Sequence, residues 1–209
     1  MRYINYQRLC FTVYLIDYNK KKVKKEIMFI QTEQTPNPET LKFIPGQDVM
    51  PSGTADFLTL EEAKKSPLAE SIFTIAGIKG VFFGKDFVTV TKDNQYEWAI
   101  LKPLILTKIM DHYTFGYPII LDHDIKNQNN LENNDPISKQ IKELLETRVR
   151  PAVAQDGGDI VFDHFNDGIV YLHLKGSCAG CPSSTATLKM GIENMLRHYI
   201  PEVQEVKAI

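Results

Sequence analysis

The sequence predicts an α+β protein of two small domains, each with helices packed on a short, mainly antiparallel sheet. Three observations point there. Short β-rich runs end in Pro, Gly, Asn or Asp. Between them lie stretches whose apolar residues recur at helical spacing. An Asn- and Asp-rich stretch without a sustained period, "LDHDIKNQNNLENND" (121–135), has linker composition and divides the chain. The boundaries read as a basic leader (1–27), an N-terminal domain (28–120), the linker (121–135) and a C-terminal domain (136–209).

In the N-terminal domain "MFIQTEQ" reads as a strand, "TPNPET" as a turn, and "LKFIPG" as a second strand stopped by Pro-Gly. "SPLAESIFTIAG" (66–77) reads as a helix capped by Ser66, with Pro67 first and Gly77 ending it. "IKGVFFG" and "DFVTVTK" form a hairpin around Gly84-Lys85. Alternation in the second run points Val88 and Val90 inward and Phe87, Thr89 and Thr91 outward. "YEWAILKPLILTKIMDHY" (96–113) carries Trp98, Leu101, Ile105, Ile109 and His112 on helical spacing, with Pro103 early in it.

The C-terminal domain reads in the order α-β-β-α-β. Asp135 caps a helix that has Pro136 at its first position, and Ile137, Ile141, Leu144, Leu145 and Val149 form its stripe. Pro151 kinks or ends this helix, and "AVAQDGG" closes it. "DIVFDHF" and "IVYLHLKG" are strands joined by "NDG". Leu188, Ile192, Met195, Leu196 and Tyr199 trace a second helix ended by Pro201, and "EVQEVKAI" reads as a last strand.

At 43% hydrophobic and 24% charged residues, with a net charge of −2, the 209-residue chain is ordinary globular material, and nothing marks it for nucleic acid. No apolar run approaches the ~18–20 residues that span a membrane. Three cysteines make no disulfide framework and suit a reducing compartment. The leader holds seven Lys/Arg against two acids. It reads either as a presequence, which implies a mitochondrial matrix, or as a stretch ahead of a start at Met28. Frequent Lys, Asn and Ile favour a bacterial cytoplasm. Cys10 lies in the leader and is not counted as a ligand.

The chemistry concentrates in "LKGSCAGCPSSTATLKM" (174–190). Two residues between Cys178 and Cys181 let both sulfurs turn toward one metal centre, as in zinc and iron–sulfur sites. Gly176 and Gly180 remove side chains where backbone approaches a ligand. Pro182 starts a helix directly after Cys181, and unpaired N–H groups there favour thiolates. Ser177 and the hydroxyls of Ser183, Ser184 and Thr185 surround the pair. Zinc or a four-iron cluster needs four ligands, and His164, His173 and His198 read as ordinary surface histidines. A second copy of the loop, related by a two-fold axis, can supply the missing thiolates. A redox dithiol and a zinc-bridged interaction module remain open on spacing alone. A thioredoxin-type motif follows a βαβ strand, whereas this one follows a hairpin. No Gly-rich phosphate loop or Ser/His/Asp arrangement is present, and no catalytic residue is assigned.

"RPAVAQDGGDIVF" (150–162) and "LKGSCAGCPSSTATLKMGIENMLRHYIPEV" (174–203) resemble the C-terminal domain of NifU-like (Nfu-type) iron–sulfur cluster scaffold proteins. "FIQTEQTPNPETLKFIPG" (29–46) and "GVFFGKDFVTVTK" (80–92) resemble the N-terminal domain of the Nfu subgroup. The resemblance implies a non-enzymatic scaffold or carrier. Its [4Fe-4S] cluster would bridge a homodimer through Cys178 and Cys181 of each chain. It would receive the cluster from upstream assembly proteins and pass it to recipient apoproteins. For the N-terminal domain, which lacks cysteine, it implies partner binding or control of transfer.

Overall fold

Short apolar runs paired edge to edge make the first layer. The computed structural model describes residues 9–17, 22–121, 135–180 and 182–209. Among these, β1 (Leu9–Asp17), β2 (Lys22–Gln34), β3 (Thr40–Ile44), β4 (Ala55–Phe57), β5 (Ile78–Phe83) and β6 (Val88–Lys92) form one sheet, in the order β1-β2-β3-β6-β5-β4. Every pairing in it is antiparallel. The basic run read as part of the leader is partly strand: β2 runs back through it, with Leu15 opposite Lys24 and Asp17 opposite Lys22. An upstream partner strand, invisible to composition, makes that pairing. Residues 122–134 of the expected linker (121–135) lie outside the described residues, as do 1–8 and 18–21 of the leader.

Helices α1 (Leu60–Ala63), α2 (Pro67–Phe73) and α3 (Trp98–Phe115) cover one face of this sheet. Ser66 caps α2 by accepting the Ala69 N–H at 3.1 Å, with Pro67 first, as the sequence predicts. The helix ends at Thr74, and Gly77 instead turns the chain into β5. α3 tolerates Pro103 within it, and Leu101, Ile105 and Ile109 are fully buried against Phe43, Val81, Phe83, Val88 and Val90. β4 and α1 were not legible because three and four residues are too few to show a period.

The second unit begins with α4 (Pro136–Leu144), capped by Asp135 accepting from Ser138 N–H at 3.0 Å. A π-helical turn (Leu145–Val149) leads into α5 (Arg150–Gln155). Pro151 neither ends nor breaks the helix. The wider π turn ahead of it accommodates the missing N–H and the ring. β7 (Gly158–Asn166) and β8 (Ile169–Gly176) pair antiparallel through Asp167-Gly168, both at positive φ, a two-residue type I′ turn. α6 (Pro182–Tyr199) then crosses over to β9 (Glu205–Ala208). β9 pairs with β8 in parallel, so the cysteine loop opens a β-α-β unit. The hairpin placement that spoke against a redox motif therefore loses its force. Ile141, Leu145, Val153, Ile160, Val170, Leu172, Ile192, Leu196 and Val206 form the core. Tyr199, expected on the buried stripe, is 40% exposed and lies under the Arg148 guanidinium.

Val88 and Val90 face the core of the first sheet, as predicted, but the opposite face is not open to water as alternation implied. Thr89 is 1% exposed and Phe82 1%. The second unit packs on that face.

Candidate functional site

The site grows from the end of β8. Gly176 closes the strand at φ +61, and Ser177 and Cys178 follow as a turn toward α6. Ser177 Oγ donates to the Asp156 carbonyl at 2.6 Å, tying the loop to the segment before β7. Thr185 Oγ1 donates to the Cys178 carbonyl at 3.1 Å. The side chains of Ser183 and Ser184 lie outside the described residues, and so does Cys181.

Cys178 is 6% exposed and belongs to the apolar core of its unit. Its sulfur packs against Gly158 so closely that a Cβ there would sit 2.5 Å from it. Burial pushes the Cys178 thiol up to about 11, and the nearby Asp156 and Asp159 carboxylates push the same way against a contact from Ser177. For Cys178 this runs against the expectation of a favoured thiolate, while Cys181, the residue expected at the helix start, lies outside the described residues. Cys178 packs into the apolar core of its unit, where desolvation disfavours the charged form.

Gly176 approaches the Gly157 carbonyl and the Phe82 ring. A methyl at Gly180 would meet nothing within 4 Å among the described residues, and its φ of +84 favours glycine there. "DGGD" (156–159), unremarkable as a helix stop, supplies the close approach of Gly158 to sulfur and the charge of Asp159. Asp159 is 3% exposed and takes two bonds from Arg150, Nε at 2.7 Å and Nη2 at 2.8 Å. Thr54 of the first unit donates to it at 2.9 Å. Sequence reasoning missed these residues. The two adjacent glycines between acids were the available signal, since side chains are removed there for crowding as well as for turning.

His164 contacts Asp163 and stacks on Tyr171, and His173 meets Asp163 Oδ1 and the Ile209 carbonyl, each at 3.2 Å. Both are well exposed, on the strand face turned from the core. Among the described residues no three His, Cys, Asp or Glu side chains converge to hold a metal.

Asp56, on β4, gives a pH handle beside the site. Burial raises its carboxyl to about 6, with Lys175 opposing and Glu62 adding to the rise. The folded state therefore prefers the protonated form. No penalty exists below the ordinary value of 3.8; it grows as pH rises from there to about 6 and is complete above. Asp56→Asn is expected to leave stability unchanged near pH 3.5 and to raise it by about 2 kcal/mol at pH 7.5, read by urea denaturation at both pH values.

Residues 30–116 match the family model described as the scaffold protein Nfu/NifU N-terminal domain, and residues 141–207 match the NifU-like domain. The chain is 51% identical over 183 residues to the human protein named NFU1 iron-sulfur cluster scaffold homolog, mitochondrial, covering 87% of this chain and 72% of that one. It is 51% identical over 189 residues to NifU-like protein 4, mitochondrial, of Arabidopsis thaliana, covering 88% and 67%. The solution structure of a NifU-like protein from Saccharomyces cerevisiae aligns at 27% identity and a TM-score of 0.42, covering 46% of this chain and 86% of that one. The bacterial cytoplasm expected from composition finds no support in these relatives, whose names place them in mitochondria.

Proposed function

Because this chain belongs to the NifU-like (Nfu-type) family of iron–sulfur cluster scaffold proteins, we propose that it carries a labile [4Fe-4S] cluster as cargo between two copies of itself. Cys178 and Cys181 of each copy are the four ligands, and the cargo passes to recipient apoproteins without catalysis. The observation that carries this reading is the ligand deficit. The family's cysteine loop is present between β8 and α6, yet no further donors gather around Cys178 among the described residues. A four-iron cluster needs four thiolates, and a second copy is the nearest source of two. The compartment proposed is the mitochondrial matrix, after the relatives' names. No helix among the described residues is long and apolar enough to cross a membrane.

A thiol–disulfide function is the second reading, favoured by the β-α-β placement of the loop. Cys178 is 6% exposed, so this reading, like the scaffold reading, requires the loop to open. A zinc-bridged module uses the same two cysteines.

Anaerobic reconstitution separates the three. The expected result is about two iron and two sulfide per chain in a dimer. Cys178→Ala is expected to lose this cargo entirely while keeping the circular dichroism of the parent. Alanine is the better variant than serine, because a serine hydroxyl would be buried in an apolar core with no close partner. Zinc without sulfide overturns the proposal, as does metal-free, reversible two-electron thiol chemistry.

A further inference from the structure

One register row runs across the first sheet on its outer face: Glu33, Lys42, Thr89, Phe82 and Asp56, paired strand by strand from β2 to β4. A strand row of this composition, with lysine, threonine and acids, is ordinarily a solvent face. Here each inner member meets a segment flanking Cys178. Lys42 Nζ donates to the carbonyls of Gln155 at 2.9 Å and Ala154 at 3.4 Å, at the C-terminal end of α5, where a cation is favoured. Thr89 Oγ1 donates to the Gly157 carbonyl at 2.6 Å. The Phe82 ring lies against Gly176. Asn37, in the "TPNPET" turn, reaches furthest: its Nδ2 donates to the Ala179 carbonyl at 3.1 Å, inside the Cys-x-x-Cys loop itself.

These contacts converge on residues 154–159 and 176–179, the two sides of the loop. They hold it in the conformation that buries Cys178. A sulfur in that conformation cannot reach a metal centre shared with another chain. We propose that the outer face of the N-terminal sheet is an intramolecular latch for the empty cysteine loop, so that loading a bridging cluster requires this face to release it. The latch rests on the scaffold reading for its purpose, but its existence is tested on the empty chain.

The backbone carbonyls of Gly157 and Ala179 are the partners, so the latch is loosened from the other side, with Asn37→Ala and Thr89→Val combined. Valine keeps the branched shape of Thr89 in its strand. Iodoacetamide is added to the metal-free, reduced full-length chain, and labelling of Cys178 is followed by peptide mass. Loss of two hydrogen bonds is expected to speed labelling about tenfold relative to the parent. Glu61→Ala, an exposed change on α1, is expected to leave the rate alone. An unchanged Cys178 rate in a folded double variant overturns the latch.

A second measurement uses the parent chain and so survives a variant that fails to fold. Lys42 is 8% exposed in the latched state. Its labelling by an acetyl ester is expected to rise at least about tenfold when the chain is loaded, since the ammonium loses both carbonyl partners. A dimer holding iron and sulfide in which Lys42 stays protected overturns the latch and leaves the scaffold reading standing. Failure to take up iron and sulfide overturns the scaffold reading, while the alkylation rates still decide the latch.

Discussion

Gly158→Ala is expected to destabilise the second unit by about 3 kcal/mol, at the upper end of overpacking changes. The added methyl would lie 2.5 Å from the Cys178 sulfur, 2.7 Å from the Lys175 carbonyl and 3.1 Å from the Cys178 amide nitrogen. Two of these three neighbours are backbone, one of them in the antiparallel pair of β7 and β8, so relief requires the strands to part. The sulfur is also displaced, and iron bound per chain is expected to fall together with the urea midpoint. Combining it with Cys178→Ala removes the sulfur contact but not the carbonyl contact. The double variant is therefore expected to regain part of the lost stability and none of the iron. A single variant within about 0.5 kcal/mol of the parent, the range of neutral surface changes, would mean the close approach is not a constraint.

Asp159→Ala is expected to cost about 2–3 kcal/mol, because it leaves a partly buried Arg150 without its paired carboxylate. Asp159 accepts two bonds from Arg150, one from the Ile160 N–H at 2.8 Å and one from Thr54 across the domain junction. Among the described residues Arg150 then retains Glu146, at 2.6 Å and largely exposed. The guanidinium, whose proton affinity is raised first by its bond to Asp159, loses that support. Thermal melts of Asp159→Ala, Arg150→Met and the double variant form a cycle. The double variant is expected to be more stable than Asp159→Ala alone, since it no longer strands a charge. Additive losses would overturn this account.

Much of the local structure was readable beforehand because its causes are near in the chain. Ser66 and Asp135 announce helix starts through a side-chain oxygen three residues from the N–H it accepts. Asp167-Gly168 forces one turn geometry on the hairpin between β7 and β8. The stripe of Ile141, Leu145 and Val149 is buried as its spacing requires. The cysteine loop falls between a strand end and a helix start for the same reason: Gly176 and Pro182 stand beside it.

What the sequence could not show depends on contacts between distant segments. β9 is parallel rather than antiparallel because α6 carries the chain across the sheet before it pairs. Lys42 and Thr89 look like solvent-facing strand residues, and any strand alternation would read them so. They are buried because residues more than sixty positions away cover them.

The sequence by itself determined the two α+β units, their capped helices and the place of the Cys-x-x-Cys loop, since each follows from backbone preferences within a few residues. Only the tertiary structure decided that the first sheet has two buried faces and that Cys178 packs inward, where burial favours the thiol. The reason is physical. Periodicity reports which side of an element is apolar, but desolvation depends on everything that packs around a group. Here that includes Asn37, which bonds the loop from 142 residues away.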